Sequence, residues 1–140
     1  MGKLVVTEFV SVDGVFEDPG GAENYEHGGW TFEYDRGDDG NAFKLDELTQ
    51  AEVHLLGRVT YESFAKAWPS REGEFADRLN NDPKVVVSTT LRDPEWRNTT
   101  VIDGDVPSEI AKLKNDTEWS HPCRRKRHPG ADAARARPRR

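Results

Sequence analysis

The chain has 140 residues, 34% of them apolar and 33% charged, with a formal net charge of −6, so it holds one domain and part of its length contributes no core. The charge is divided: residues 1–114 carry 12 Lys/Arg against 23 Asp/Glu, a net −11, and residues 115–140 carry 8 against 3, a net +5. An acidic body argues against specific or broad binding to nucleic acid, no segment approaches the roughly 20 apolar residues of a bilayer span, and the single cysteine, Cys123, leaves no intrachain disulfide framework and fits a reducing cytoplasm.

Met1 to Val12 is interrupted by Thr7 and Glu8 and is followed by Asp13 instead of a small-residue cleavage site, so no secretory leader is expected. Within it Lys3 to Ser11, K-L-V-V-T-E-F-V-S, is β-branched and aromatic and apolar on both faces from Leu4 to Val6, which predicts a strand inside a sheet. From Val12 to Asn41 come Pro19, seven glycines and Asp35, Asp38 and Asp39 without a sustained period, which predicts a long loop of the kind that serves function. Ala42 to Ala51 reads as a helix with Phe43, Leu45 and Leu48 toward one side.

Val53 to Phe64, V-H-L-L-G-R-V-T-Y-E-S-F, is the stretch around which the chain is organised. Val53 to Leu56 predicts a buried strand, Gly57 a tight turn, and Val59 to Ala67 a helix. Gly57 has no Cβ, Arg58 brings a fixed cation, and Thr60 brings a hydroxyl to a first helical turn whose N–H groups lack partners, a combination suited to a phosphate. Equally, Arg58 is readable as a solvated surface residue and Thr60 as a cap.

Pro69 ends this helix near Trp68. Gly73 to Asn80 predicts a short helix with Phe75, Ala76 and Leu79 inward; Lys84 to Thr90 a second strand ending in three hydroxyls; Thr99 to Ile102 a shorter strand; and Pro107 to Lys114 a helix with Ile110 and Leu113 on one side. Strands alternating with helices predict an α/β fold with a largely parallel sheet. Beyond Asn115 apolar periodicity stops. Residues 115–140 are expected to form a disordered basic tail, and the abrupt change of composition matches an out-of-frame reading of GC-rich DNA better than a selected basic patch at Arg124 to Arg127.

Other constellations carry less chemistry. Asp35, Asp38, Asp39, Gly40 and Asp46 fail as a calcium loop, because the third position is Gly37 and the twelfth is Asp46, so a solvated acidic loop is expected and no metal. His27 is expected on the surface, and His54, inside an apolar strand, as a satisfied sheet residue. Trp30, Trp68 and Trp96 are expected to anchor loops to the core in preference to stacking on a ligand. No Ser-His-Asp, Cys-His, HExxH, Walker or Gly-x-Gly-x-x-Gly pattern stands out.

Taken together, K-L-V-V-T-E-F-V-S-V-D-G (Lys3 to Gly14), the E-D-P-G-G and H-G-G-W loop, L-L-G-R-V-T-Y-E (Leu55 to Glu62), A-W-P (Ala67 to Pro69) and K-V-V-V-S-T-T-L (Lys84 to Leu91) resemble the dihydrofolate reductase-like superfamily. Within it the chain resembles the bacterial family named for the C-terminal reductase domain of the bifunctional riboflavin deaminase-reductase. The resemblance covers residues 3 to about 114. It implies a three-layer α/β fold around a mostly parallel sheet, with residues 1–114 as the N-terminal part of the reductase domain.

The resemblance further implies a cytoplasmic, NADPH-dependent oxidoreductase that reduces a small heterocycle in riboflavin biosynthesis, resembling 5-amino-6-(5-phosphoribosylamino)uracil reductases. Dihydrofolate reduction, or a truncated product without catalysis, are the alternatives. Arg58 would meet the adenosine 2′-phosphate, Gly57 and Thr60 with the helix N-terminus the pyrophosphate, and Ser88 and Thr89 the adenosine side. Val12, Asp13 and Gly14 would belong to a loop over the nicotinamide, and the catalytic residue stays open because neither Asp46 nor Glu47 matches the substrate-binding carboxylate. A small-molecule substrate is expected, and a homodimer is compatible with the reading. In such folds a further strand lies between those at Leu4 and Leu55 and a glycine-rich turn completes the cofactor site; neither is recognisable here, so the fold is expected to be incomplete at its C-terminal end.

Overall fold

The computed structural model describes residues 2–115. Strands β1 (His54–Gly57), β2 (Lys84–Val87) and β3 (Thr99–Ile102) pair in parallel in the order β1-β2-β3. Around them lie α1 (Gly37–Gln50), α2 (Arg58–Ala67), α3 (Glu74–Asn81) and α4 (Val106–Asn115), with a 3₁₀ turn at Trp30–Phe32. This is the α/β class and parallel sheet that the alternation predicts.

The middle strand is the most deeply buried because its β-branched run suits contact on both faces: Val85 and Val86 are fully enclosed. Val86 belongs to a cluster with Tyr61, Leu79 and Trp96, bordered by Leu48, Leu56, Phe64, Trp68 and Phe75. Each such aliphatic side chain contributes about 1.5–3 kcal/mol when fully buried. Ala76 and Leu79 turn inward from α3 as their spacing predicts, and Phe75 packs beside Trp68 with ring centroids 5.3 Å apart. Of the three expected loop anchors, Trp68 and Trp96 pack on the core and Trp30 does not join it; Trp96 donates its backbone N–H to the Tyr61 hydroxyl (3.0 Å) and its indole N–H to Asn80 Oδ1 (2.8 Å).

Lys84 is only 1% exposed. Its ammonium donates to the carbonyls of Leu79 (2.8 Å), Asn80 (3.4 Å) and Asp82 (2.8 Å) and lies 4.3 Å from the centre of the Trp96 ring. A cation thus satisfies carbonyls at the C-terminal end of α3, where the helix dipole is negative and intrahelical donors are missing.

Three expectations fail. Lys3 to Ser11 is not a strand: it pairs with no strand, and Leu4, Val5 and Val6 are 54%, 74% and 79% exposed. The reason is hydrogen bonding, since strand composition fixes nothing without a paired neighbour. Among the described residues β1 has one strand neighbour, β2, and no strand joins it to the N-terminal segment. That segment lies instead near α1, where Lys44 donates to Thr7 Oγ1 (2.9 Å) and the Phe9 ring faces both Arg36 and Lys44. The long loop also ends early. Helix α1 begins at Gly37, whose N–H is accepted by Asp35 Oδ1 (2.9 Å), and Asp38 and Asp39 complement the positive end of the helix, so the acidic group that breaks hydrophobic periodicity starts a helix. Phe43 is 64% exposed while Leu48 packs on the core, because the two positions do not share a narrow face of the helix. The expected tail, with Cys123 and Arg124 to Arg127, lies outside the described residues.

His54 is satisfied within the sheet, as its position predicts. Its backbone N–H donates to Pro83 O (2.9 Å) and its ring Nε2 lies 3.4 Å from Asp82 Oδ2. Burial disfavours the imidazolium and holds its pKa below the ordinary value; Asp82 pulls the other way, and Lys84 and Arg78 add to the depression.

Two outcomes follow for stability. Lys84→Met leaves carbonyls at the end of α3 without their donor and is expected to cost about 2–4 kcal/mol, read as a lowered urea midpoint; an unchanged midpoint means those carbonyls are equally well served by water. For His54, the unfolded chain binds the proton more tightly than the folded one. Its contribution is therefore complete above the unfolded pKa of about 6.5 and declines as pH falls through that value toward the lower folded one. Urea midpoints between about pH 8 and pH 5 should drop on acidification, and His54→Gln should flatten that part of the profile.

Candidate functional site

The C-terminal ends of β1 and β2 lie side by side, with Gly57 paired in register with Val87. Chain exits from this sheet end bring Arg58 and Thr60, in the first turn of α2, to the same edge as Ser88 and Thr89. The ends of parallel strands, where helices begin, are where open α/β sheets bind ligands. Five of the eight expected cofactor residues, Gly57, Arg58, Thr60, Ser88 and Thr89, therefore share one sheet end.

Gly57 is the N-cap of α2, with extended backbone (φ −78°, ψ 163°), and offers no side-chain cap to the helix. A Cβ built there meets nothing within 4 Å, so open space and not crowding surrounds this position. Gly57, Arg58 and Thr60 are exposed. The first turn of α2 contains no acidic residue, and it carries a cation at the positive end of the helix dipole. This arrangement is unfavourable for the helix alone and favourable for an anion.

Arg58 is nevertheless engaged. Its Nη1 donates to Glu62 Oε1 (3.0 Å) and Oε2 (2.9 Å), and both side chains are a little under half exposed. Glu62 also borders a groove of about 780 Å³ between α2 and the segment before β3, with Lys66, Leu91, Arg92, Trp96 and Arg97 among its walls. The sequence reading gave Glu62 no role, although its spacing of four residues from Arg58 on a helix signals the pair.

Ser88 and Thr89 differ in availability. The Ser88 hydroxyl accepts the N–H groups of Thr90 (3.2 Å) and Leu91 (2.9 Å) and is buried, so it shapes the turn after β2. Thr89 is exposed.

The other three expected residues form a separate turn. Gly14 N–H donates to Ser11 O (3.0 Å), Val15 N–H to Ser11 Oγ (2.8 Å), and the Ser11 hydroxyl to Asp13, which holds the Asp13 carboxyl below its usual range. Among the described residues, no hydrogen bond joins this turn of Val12, Asp13 and Gly14 to α2.

Beyond it, the E-D-P-G-G and H-G-G-W segments meet. Asp18, 4% exposed, accepts on its carboxylate the N–H groups of Ala22 (2.7 Å), Glu23 (3.1 Å) and Tyr25 (3.2 Å). Its carbonyl takes those of Gly21 (3.1 Å) and Gly29 (2.9 Å), and Trp30 donates its indole N–H to Glu17 O (3.1 Å). Asp18 was not singled out from the sequence, where it looks like one more solvated acid. Asp46 lies in α1 and accepts from Gln50, and Glu47 pairs with Lys44, so these carboxylates are occupied on their own helix. Among the described residues no group of three or more His, Cys, Asp or Glu side chains is arranged to hold a metal, and no helix is long and apolar enough to cross a membrane.

The model of a known family, described as the RibD C-terminal domain, matches residues 2–122. No curated protein matches the chain.

The loop around Asp18 yields a test. A Cβ on Gly28 would clash with Asp18 Oδ2. Gly28→Ala is expected to displace that carboxylate from its N–H donors, shifting Trp30 fluorescence and accelerating proteolysis within residues 17–32, while leaving the global urea midpoint nearly unchanged. Wild-type protease resistance in the variant would show that the loop does not depend on the buried carboxylate.

Proposed function

The chain belongs to the RibD C-terminal domain family, and on that footing we propose that it is a reductase domain using NADPH, with the α2 N-terminus as its phosphate-binding edge. The substrate class we propose is a small heterocycle like those of riboflavin biosynthesis, in the manner of a 5-amino-6-(5-phosphoribosylamino)uracil reductase. The observation that carries the cofactor reading is the placement of Arg58, a permanent cation, with Thr60 on an uncapped and exposed helix N-terminus, at the sheet end from which Ser88 and Thr89 also leave. A guanidinium fork suits a phosphomonoester, and free backbone N–H groups suit a diphosphate.

In this reading Arg58 binds the 2′-phosphate, Gly57 leaves the backbone of the turn open to close approach, and Thr60 with the first-turn N–H groups orients the diphosphate. Ser88 acts indirectly, by holding the turn that presents Thr89. NADPH supplies a hydride when bound, and the work of the protein is position and electrostatics. The turn at Val12 to Gly14 is proposed to cover the nicotinamide.

The experiment is titration of the full chain with NADPH, followed by tryptophan quenching. Saturable binding is expected, and Arg58→Ala should weaken it about 10- to 100-fold while changing NADH binding much less, because one charge-assisted phosphate contact is lost. Absence of saturable binding, or equal affinity in the variant, refutes the assignment.

A further inference from the structure

The Arg58–Glu62 pair bears on which dinucleotide the site prefers, an inference that rests on the cofactor reading above. Arg58 Nη1 is held by both oxygens of Glu62, at 3.0 and 2.9 Å, so the guanidinium already has an anionic partner. The pair runs with the cation N-terminal to the anion, the less favourable order on a helix, and both groups are partly in water. It is therefore a weak tie, easily exchanged for a stronger anion. A 2′-phosphate, which is close to a dianion at neutral pH, must either displace the carboxylate from Arg58 or share the guanidinium with it against like-charge repulsion. A 2′-hydroxyl meets neither cost.

We propose that Glu62 is a specificity-determining residue acting through Arg58: it competes with the 2′-phosphate for the guanidinium and so narrows the preference of the site for NADPH over NADH. Lys66, Arg92 and Arg97 line the groove beside Glu62, and Arg92 pairs with Asp103 while Arg97 donates to Asn80 O. Arg58 is the guanidinium bound to Glu62, and it stands at the helix N-terminus.

The test compares four full-length proteins: wild type, Glu62→Gln, Arg58→Ala and the double variant, each titrated with NADPH and with NADH. Glutamine keeps the length and helix propensity of Glu62, and circular dichroism checks that all four fold alike. Glu62→Gln is expected to tighten NADPH about 2- to 5-fold at low salt, with the gain shrinking as ionic strength rises, and to leave NADH nearly unchanged. In the Arg58→Ala background the same substitution should have no effect on NADPH, which separates competition for the guanidinium from a general change in surface charge.

If NADPH binds and Arg58→Ala weakens it, but Glu62→Gln leaves it unchanged, weakens it, or tightens both dinucleotides alike, the role of Glu62 is overturned and the cofactor reading stands. A gain that persists without Arg58 overturns it as well. If the wild type binds neither dinucleotide, or Arg58→Ala changes nothing, both readings fall together.

Discussion

The buried ammonium of Lys84 is the contact on which the rest of the structure depends. A charge taken out of water is costly unless strong acceptors surround it. Here they are backbone carbonyls of Leu79, Asn80 and Asp82, with the Trp96 ring alongside. These carbonyls lie where α3 ends and the chain turns into β2. Lys84 therefore fixes the direction in which the central strand leaves the helix, and it brings Trp96 over the same point from beyond the following turn.

The constraint spreads through Trp96. Its indole N–H holds Asn80 Oδ1, Asn80 Nδ2 donates to Trp68 O (3.0 Å), and its backbone N–H reaches the Tyr61 hydroxyl. Tyr61 lies in the first turn of α2, one residue after Thr60. Together with the packing of Tyr61, Leu79 and Val86, these bonds place the start of α2 against β2. The proposed phosphate-binding edge is thus a surface feature with a buried foundation: Gly57, Arg58 and Thr60 are exposed, but the residue that follows them is 3% exposed and hydrogen-bonded. Such fixing matters because a charged ligand gains most from donors that need no rearrangement.

The parts of this design that are local in the chain were legible in the sequence. K-V-V-V and T-T-V-I declare strands through β-branching, Phe75, Ala76 and Leu79 declare the inner face of α3, and the turn at Gly57 declares the start of α2. What depends on a distant partner was not legible. Lys84 reads as a charged strand end, because nothing in its neighbourhood announces that helix carbonyls will converge on it. Asp18 reads as a solvated acid, because its donors appear only once residues 22–25 fold back around it. Lys3 to Ser11 has strand composition, but composition cannot supply the neighbouring strand that its N–H and C=O groups require. At the site, the placement of Arg58 at the start of α2 was legible in the sequence, whereas its pairing with Glu62 was signalled only by their four-residue spacing.

The residues expected to meet a cofactor also differ in how they are held, and the difference matches the tasks proposed for them. Those at the β1 and β2 ends are tied to the core through Tyr61 and through the Ser88 turn. Val12 to Gly14 sit in a turn bonded within itself, on a segment whose attachments are surface ones: Gly2 N–H to Lys114 O, Lys44 to Thr7, and two cations against the Phe9 ring. Exposed contacts of this kind are worth little individually. Recognition of a phosphate asks for donors fixed in advance, whereas a cover over a reacting ring must admit and release its ligand. The well-anchored half carries the permanent charge of Arg58, and the lightly attached half carries none of comparable strength except Asp13, an anion. That division of charge fits the proposed reading, in which an anionic ligand is held at the end of β1.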